Sequence, residues 1–277
     1  MFGVAGRGGI ALGEVVLLAG WPALAQLAAP NERGVAMGHV HLVVQDLEAQ
    51  KNFWTSLMGG TAIRGGPVQQ MVQQIRFPGV ILVLEKGEPS GPAAGSAVDH
   101  FGFSVRDMAG FLEKCRQNGV KVDGAAKADP IQVFVNAPEG VRVEIIRDPA
   151  IATPFRMNHL HFYTSEIPEM QAWYAKTFGA LAGKRTRVTG PGTLDAADMP
   201  GSNISLARTE KPPAPTKGRV LDHIGFEVRN LDAFVKELEA QGIRLDRPVR
   251  QFPDSVKAAF LTDPWGIYIE LTEGLGR

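Results

Sequence analysis

The stretch GHVHLVVQDLEAQKNFWTSLMGG (38–60) decides the architecture, because it recurs without gaps as NHLHFYTSEIPEMQAWYAKTFGA (158–180). Both copies begin His-x-His and continue into a helical stretch with adjacent aromatics, Phe53-Trp54 and Trp173-Tyr174. Two further pairs follow in the same order. VDHFGFSVRDMAGFLEKCRQNGVKVD (98–123) matches LDHIGFEVRNLDAFVKELEAQGIRLD (221–246), and FVNAPEGVRVEI (134–145) matches FLTDPWGIYIEL (260–271). The offsets grow slowly, 120, 123 and 126 residues, as tandem duplication with small loop insertions requires. Each half divides again, since GHVHLVVQDL and DHFGFSVRDM share a register that overlays His39 on His100.

The chain therefore holds four related quarters. In each, an alternating strand leads through Asp or a polar residue into an amphipathic helix that closes at Gly, and further strands follow, a β-α-β-β-β unit. In the second quarter Phe111, Leu112 and Cys115 form the helix's apolar stripe and Gly119 its C-terminal stop. QQIRF (73–77) and GVILVLE (79–85) supply the later strands of the first quarter, and IQVFVN (131–136) and VRVEIIRD (141–148) those of the second. Gly- and Pro-rich links lie at 87–97 and 210–219. The fold class expected is α+β: two tandem domains, 38–150 and 151–277, each of paired βαβββ modules curling into a cupped mixed sheet with helices outside.

Strand parity sorts the side chains. His39 and His41 share one face, while Val40, Leu42 and Val44 share the other, which should pack under the helix. The same rule places His100, Gly102 and Ser104 in the cup, and on the last strand Arg142 and Glu144. The second half repeats these positions as His159, His161, His223, Tyr268 and Glu270. A lone strand histidine usually satisfies a buried backbone group, but two sets of His, His and Glu that keep ligand chemistry across a duplication point to a metal. Two imidazoles and one carboxylate leave coordination positions open on Fe(II) or Mn(II), the ions expected; Zn or Ni is the alternative. His41 and His161 are candidate general bases or hydrogen-bond partners, and Arg142 and Tyr268 candidate substrate contacts.

On these motifs, which run from about 38 to 274, the chain resembles the vicinal oxygen chelate superfamily, which includes lactoylglutathione lyases, extradiol dioxygenases and bleomycin-binding proteins. The resemblance implies a metal held by first-strand histidines and a last-strand glutamate: His39, His100 and Glu144 in one domain, His159, His223 and Glu270 in the other. In this family modules pair within a half or exchange between halves; pairing within each half is the expectation, because consecutive elements tend to be neighbours. Departures narrow the reaction. The further acidic ligand of a lactoylglutathione lyase falls at Val83 and Ser205, with Glu85 two residues from the first, and the tyrosine of the extradiol signature is replaced by Phe260 and Phe134. The functional expectation is a metal-dependent dioxygenase, isomerase or lyase acting on a small oxygen-rich molecule. The alternative is a metal-independent sequestering protein of the bleomycin-resistance type. The turn Asp263-Pro264-Trp265-Gly266 ahead of Glu270 favours the second half as the better catalyst.

Composition bounds the partners. Lys+Arg and Asp+Glu are 29 each, so no bulk field draws nucleic acid or anionic lipid. The single cysteine, Cys115, forms no intrachain disulfide. The apolar run Val15–Ala25, preceded by Arg7 and ending in Ala23-Leu24-Ala25, reads as a signal peptide over 1–25 with 26–37 as linker, implying a periplasmic or secreted protein; translation from Met37 would make it cytoplasmic. No membrane span is expected, and the protein should be a monomer or homodimer.

Overall fold

The computed structural model describes residues 27–63, 72–125, 129–253 and 255–276, so the expected signal peptide lies outside the described residues. The first module comprises β1 (Val35–Val44), α1 (Leu47–Asn52), β2 (Thr61–Ile63), β3 (Val72–Phe77) and β4 (Val80–Lys86). The second comprises β5 (Val98–Val105), α2 (Met108–Gln117), β6 (Val122–Asp123), β7 (Gln132–Ala137) and β8 (Val141–Arg147). The third comprises β9 (Phe155–Thr164), α3 (Ile167–Phe178), β10 (Leu181–Thr186), β11 (Thr193–Asp198) and β12 (Asn203–Arg208). The fourth comprises β13 (Leu221–Val228), α4 (Leu231–Ala240), β14 (Arg247–Gln251), β15 (Lys257–Thr262) and β16 (Tyr268–Glu273). β1 begins at Val35, so the segment expected to be linker already contributes the buried strand residues Val35, Ala36 and Met37.

Helix starts follow the repeated polar residue after each first strand. Asp46, Asp107 and Asn230 accept hydrogen bonds from the backbone amides of Ala49, Gly110 and Ala233, capping α1, α2 and α4. In α3 a proline in the first turn replaces the side-chain cap, and Gly179 in the left-handed region (φ +72°) ends the helix. α1 runs on into a π-helical turn over Phe53–Leu57. The expected stripe on α2 is present: Met108, Phe111 and Cys115 are buried, with Leu112 packed against the core.

The modules form two eight-stranded mixed sheets, β14-β15-β16-β13-β1-β4-β3-β2 and β10-β11-β12-β9-β5-β8-β7-β6. The first sheet, here called outer, joins the first and fourth modules through antiparallel β1–β13; the inner sheet joins the second and third through antiparallel β5–β9. Pairing within each half is thus overturned: sheets are shared between halves. Linker length is the physical reason. Only seven residues (148–154) separate β8 from β9, keeping the second and third modules side by side, whereas 87–97 and 209–220 carry the chain from one sheet to the other. Those two longer links meet each other, with a bridge between Ser96 and Ala214.

Modules of one half still touch, through the apolar faces rather than through strand edges. Trp54, after α1, stacks on Phe101 of β5 (ring centroids 5.8 Å apart) while meeting Phe77 of β3 at 6.3 Å. Phe178, at the end of α3, packs on Phe226 of β13 at 4.9 Å. Val40, Leu42, Phe101, Phe103, Leu160, Phe162, Ile224 and Phe226 accordingly belong to one continuous core. Such burial, at about 25 cal/mol per Å² of apolar surface, couples the sheets.

The turn Asp263-Pro264-Trp265-Gly266 has a structural role in that coupling. Asp263 Oδ1 accepts from the amides of Trp265 and Ile267 (2.9 and 2.7 Å), and Tyr174 of α3 donates its hydroxyl to Oδ2 (2.9 Å). The motif therefore ties α3 to the fourth module, and gives no reason to rank the second half as the catalyst. Burial raises the Asp263 pKa to about 6 despite these donors. Its folded pKa lies above the usual 3.8, so the folded state holds the proton more tightly, and its contribution is lost as pH rises from about 4 through 6. Relative to Asp263→Asn, the wild type is expected to lose up to roughly 3 kcal/mol across that window. Urea denaturation of both proteins from pH 4 to 7 checks this; parallel pH profiles would contradict it.

Candidate metal centres

Each sheet brings two first-strand histidines and one last-strand glutamate together, one histidine from each module. In the outer sheet β1 supplies His39 and His41, β13 supplies His223 and β16 supplies Glu270; their ligand atoms all lie within 4.8 Å of one another. In the inner sheet the corresponding group is His159 from β9, His100 from β5 and Glu144 from β8. The sets expected from within-half pairing, His39 with Glu144 and His159 with Glu270, are not brought together, although all six residues face a cup.

The inner site is held from behind. His100 Nδ1 donates to Asp99 Oδ1 (2.8 Å) and His159 Nδ1 to Asn158 Oδ1 (2.9 Å), because a carboxylate or carbonyl oxygen can only accept. Both rings turn Nε2 toward the same oxygen, Glu144 Oε2, at 3.1 Å each, where a neutral ring presents its lone pair. Two ring lone pairs and a carboxylate oxygen repel at that distance unless a cation or a proton lies between them. Burial lowers the His100 pKa, but the hydrogen bonds to Asp99 and Glu144 outweigh it, and the net shift is upward. Burial pushes the Glu144 pKa up, yet its two imidazole partners bring it well below the usual carboxylate value. The donor set thus fits a divalent cation.

The outer site repeats the arrangement. Glu270 Oε2 lies 2.9 Å from His39 Nε2 and 3.0 Å from His223 Nε2, and His223 Nδ1 donates to Asp222 Oδ1 (2.6 Å). The His39–Glu270 approach is short but misaligned for a hydrogen bond, so among the described residues Nε2 of this buried ring has no hydrogen-bond partner, as befits a metal ligand; Nδ1 has none either, unlike the anchored Nδ1 atoms of His100, His159 and His223. Glycines make room for the rings. A Cβ at Gly225 would fall 1.9 Å from His39 Cε1, and one at Gly102 2.2 Å from His159 Cε1, which explains the glycine in both Asp-His-x-Gly-Phe motifs.

Beyond the shared triads the two sites differ. His41 stacks on His223 at 4.2 Å and meets Glu85 Oε2 through Nε2 at 2.9 Å. Burial and the neighbouring His223 lower its pKa to about 4, leaving it neutral near pH 7. Glu85 therefore serves His41, while Val83 stands opposite His41 at the position expected of a further acidic ligand. Tyr268 lies 5.5 Å from the His223 ring, its hydroxyl buried without a hydrogen-bond partner. In the inner site His161 Nδ1 lies 3.2 Å from His100 Nε2, and its buried Nε2 has no hydrogen-bond partner. Burial and the neighbouring His100 and His159 hold its pKa at about 3. Arg142 lies over the Phe134 ring at 4.1 Å and within 3.9 Å of Asp99.

Four contributors were not singled out from the sequence. Asp99 and Asp222, each preceding a ligand histidine, were visible as part of a repeated motif. Gln132 donates to Glu144 Oε1 (2.5 Å) and thereby leaves Oε2 to the histidines; its counterpart in the fourth module is Ala258, so duplication gave no signal. Arg185 of β10 donates to Ser205 Oγ (2.9 Å). The inner site opens into a cavity of about 210 Å³ lined by His100, Glu144 and His159 together with His161, Arg142 and Arg185.

The family comparison agrees with this geometry. The model of the Glyoxalase/Bleomycin resistance protein/Dioxygenase superfamily matches residues 36–145 and again 156–271. The chain belongs to this superfamily. Among solved structures, glyoxalase I from Zea mays is 18% identical over 86% of this chain and 92% of its own, with a TM-score of 0.65. A glyoxalase I mutant from the same plant is 16% identical over 87% and 94%, at 0.66. A proposed dioxygenase from Bacillus subtilis is 13% identical over 90% and 86%, at 0.64. At these identities the likeness establishes the fold of a tandem glyoxalase-superfamily chain. No curated protein matches significantly. Among the described residues no helix is long and apolar enough to cross a membrane.

Proposed function

We propose that this glyoxalase-superfamily protein is a divalent-metal-dependent enzyme whose reactive centre is the inner site, acting on a small molecule that presents two adjacent oxygens. The observation that carries the reading is the difference in donor number between the two groups. The inner one has three donors at the wall of a cavity of about 210 Å³, whereas the outer one has a fourth, His41, within ligand reach. Catalytic metal sites keep positions free for substrate, and structural sites fill them with protein donors. The outer site is accordingly assigned a second, structural ion.

A divalent cation at the inner site would supply Lewis-acid polarisation of the substrate's adjacent oxygens. His100, His159 and Glu144 would hold it. Asp99 and Asn158 fix the two ring tautomers, and Gln132 fixes which carboxylate oxygen faces inward. His161, neutral near pH 7, lines the cavity and would hydrogen-bond the substrate or take a proton from it when a turn of the ring brings its buried Nε2 to the cavity. Two imidazoles and one carboxylate as the donor set favour Fe(II) or Mn(II).

Elemental analysis of anaerobically purified protein, followed by assays of oxygen uptake with catechols and of consumption of methylglyoxal–thiol adducts, tests the proposal. The expected outcome is two equivalents of divalent metal and one of the two activities. A chain that takes up no metal on loading, and whose triad variants bind small molecules unchanged, would instead be a sequestering protein.

A further inference from the structure

We infer that the inner cavity selects substrates carrying a carboxylate or a similar compact anion, and that Arg185, assisted by Arg142, is the residue that selects them. The inference rests on the inner site being the reactive centre and names the chemical class it takes. Arg185 lies on β10, away from the three ligand strands β5, β8 and β9, yet it lines the same cavity as His100, Glu144 and His159. β9 and β12 pair so that Ser205 stands opposite His161, and Ser205 Oγ accepts from Arg185 Nη2 at 2.9 Å. The guanidinium is thereby fixed against the wall beside the candidate proton-handling histidine.

A fixed guanidinium in that place has little else to do. Of its five N–H donors, that to Ser205 is engaged; Nε forms an ion pair with Asp198 Oδ1 at 3.4 Å but is misaligned for a hydrogen bond, and among the described residues neither atom has a hydrogen-bond partner. Burial lowers the Arg185 pKa, although the Asp198 carboxylate opposes the shift. Arg142 approaches the cavity from β8 and Arg187 from the end of β10. With a divalent ion, the formal charge around the cavity is five positive, two from the ion and one each from Arg142, Arg185 and Arg187. Against it stand three carboxylates, Glu144, Asp99 and Asp198. An anionic ligand removes the imbalance, and a planar carboxylate matches the guanidinium fork. The outer site lacks this device at the equivalent position, where Val83 stands opposite His41.

Calorimetric titration of the Mn(II)-loaded full chain under argon, with 3,4-dihydroxybenzoate and its uncharged amide, isolates the carboxylate while keeping the adjacent oxygens constant. The acid is expected to bind at least about tenfold tighter than the amide, as one charge-assisted hydrogen-bond pair provides. Arg185→Gln should erase that preference while leaving amide affinity and Mn(II) content unchanged; Arg142→Gln, on the more exposed wall, should reduce it. Equal affinity of the wild type for both probes, or a preference that survives both substitutions, overturns the assignment. Failure of the metal reading is seen separately, as a Glu144→Gln variant with wild-type Mn(II) content. The acid–amide difference measured without Mn(II) then still decides the role of Arg185.

Discussion

Glu144→Gln should remove one of two equivalents of divalent metal per chain and lower kcat/KM by roughly a thousandfold, whereas Glu270→Gln should remove the other equivalent and cost less than about tenfold. A metal acting as Lewis acid lowers the barrier by several kcal/mol, and about 1.4 kcal/mol is a factor of ten. Glutamine preserves the side chain's shape but removes the anionic oxygen on which both Nε2 atoms of the inner site converge at 3.1 Å. In the outer sheet the ion lost is the one assigned a structural role, so the inner triad keeps its own ion and most of the activity. Metal content by elemental analysis and steady-state turnover of the two variants provide the check. Inactivity of Glu270→Gln together with an active Glu144→Gln would move the reactive centre to the outer sheet.

That contrast depends on which triads assemble, and here sequence reading and structure part company for a physical reason. Alternation along β1, β5 and β8 places His39, His100 and Glu144 in a cup, because side-chain direction is a local property of a strand. Which strand edges then pair is settled by backbone hydrogen bonds, β1 with β13 and β5 with β9, that leave no residue signature. The seven-residue link 148–154 was the available clue, since it joins β8 to β9 too tightly for the second and third modules to part. The neighbour rule holds, but within each half it is satisfied by Trp54 and Phe178 across the apolar faces. Gln132 and Arg185 escaped for another reason. The duplication exposed residues by their repetition, and the inner site became distinct from the outer one through residues that do not repeat, Gln132 against Ala258 and Ser205 against Val83.

Trp54→Ala is expected to destabilise the protein by about 3–5 kcal/mol, the usual cost of emptying an aromatic site in a packed core. Trp54 is fully buried, it meets Phe77 of the outer sheet and Phe101 and Phe103 of the inner one, and its indole Nε1 donates to Gln50 Oε1 at 2.9 Å. Gln50 in turn donates to the carbonyl of Pro138, the turn ahead of β8 and Glu144, at 2.6 Å. Truncation therefore opens a cavity between the sheets and leaves a buried amide oxygen unpaired, where Trp54→Phe would forfeit the hydrogen bond but keep most of the packing and cost less. Because the sheets share one core, urea denaturation of the wild type should give a single transition with coincident fluorescence and circular dichroism. Trp54→Ala should shift that transition to lower urea without splitting it. Two resolved transitions in the wild type would mean that the sheets fold as independent units, and that Trp54 stabilises one of them rather than the junction.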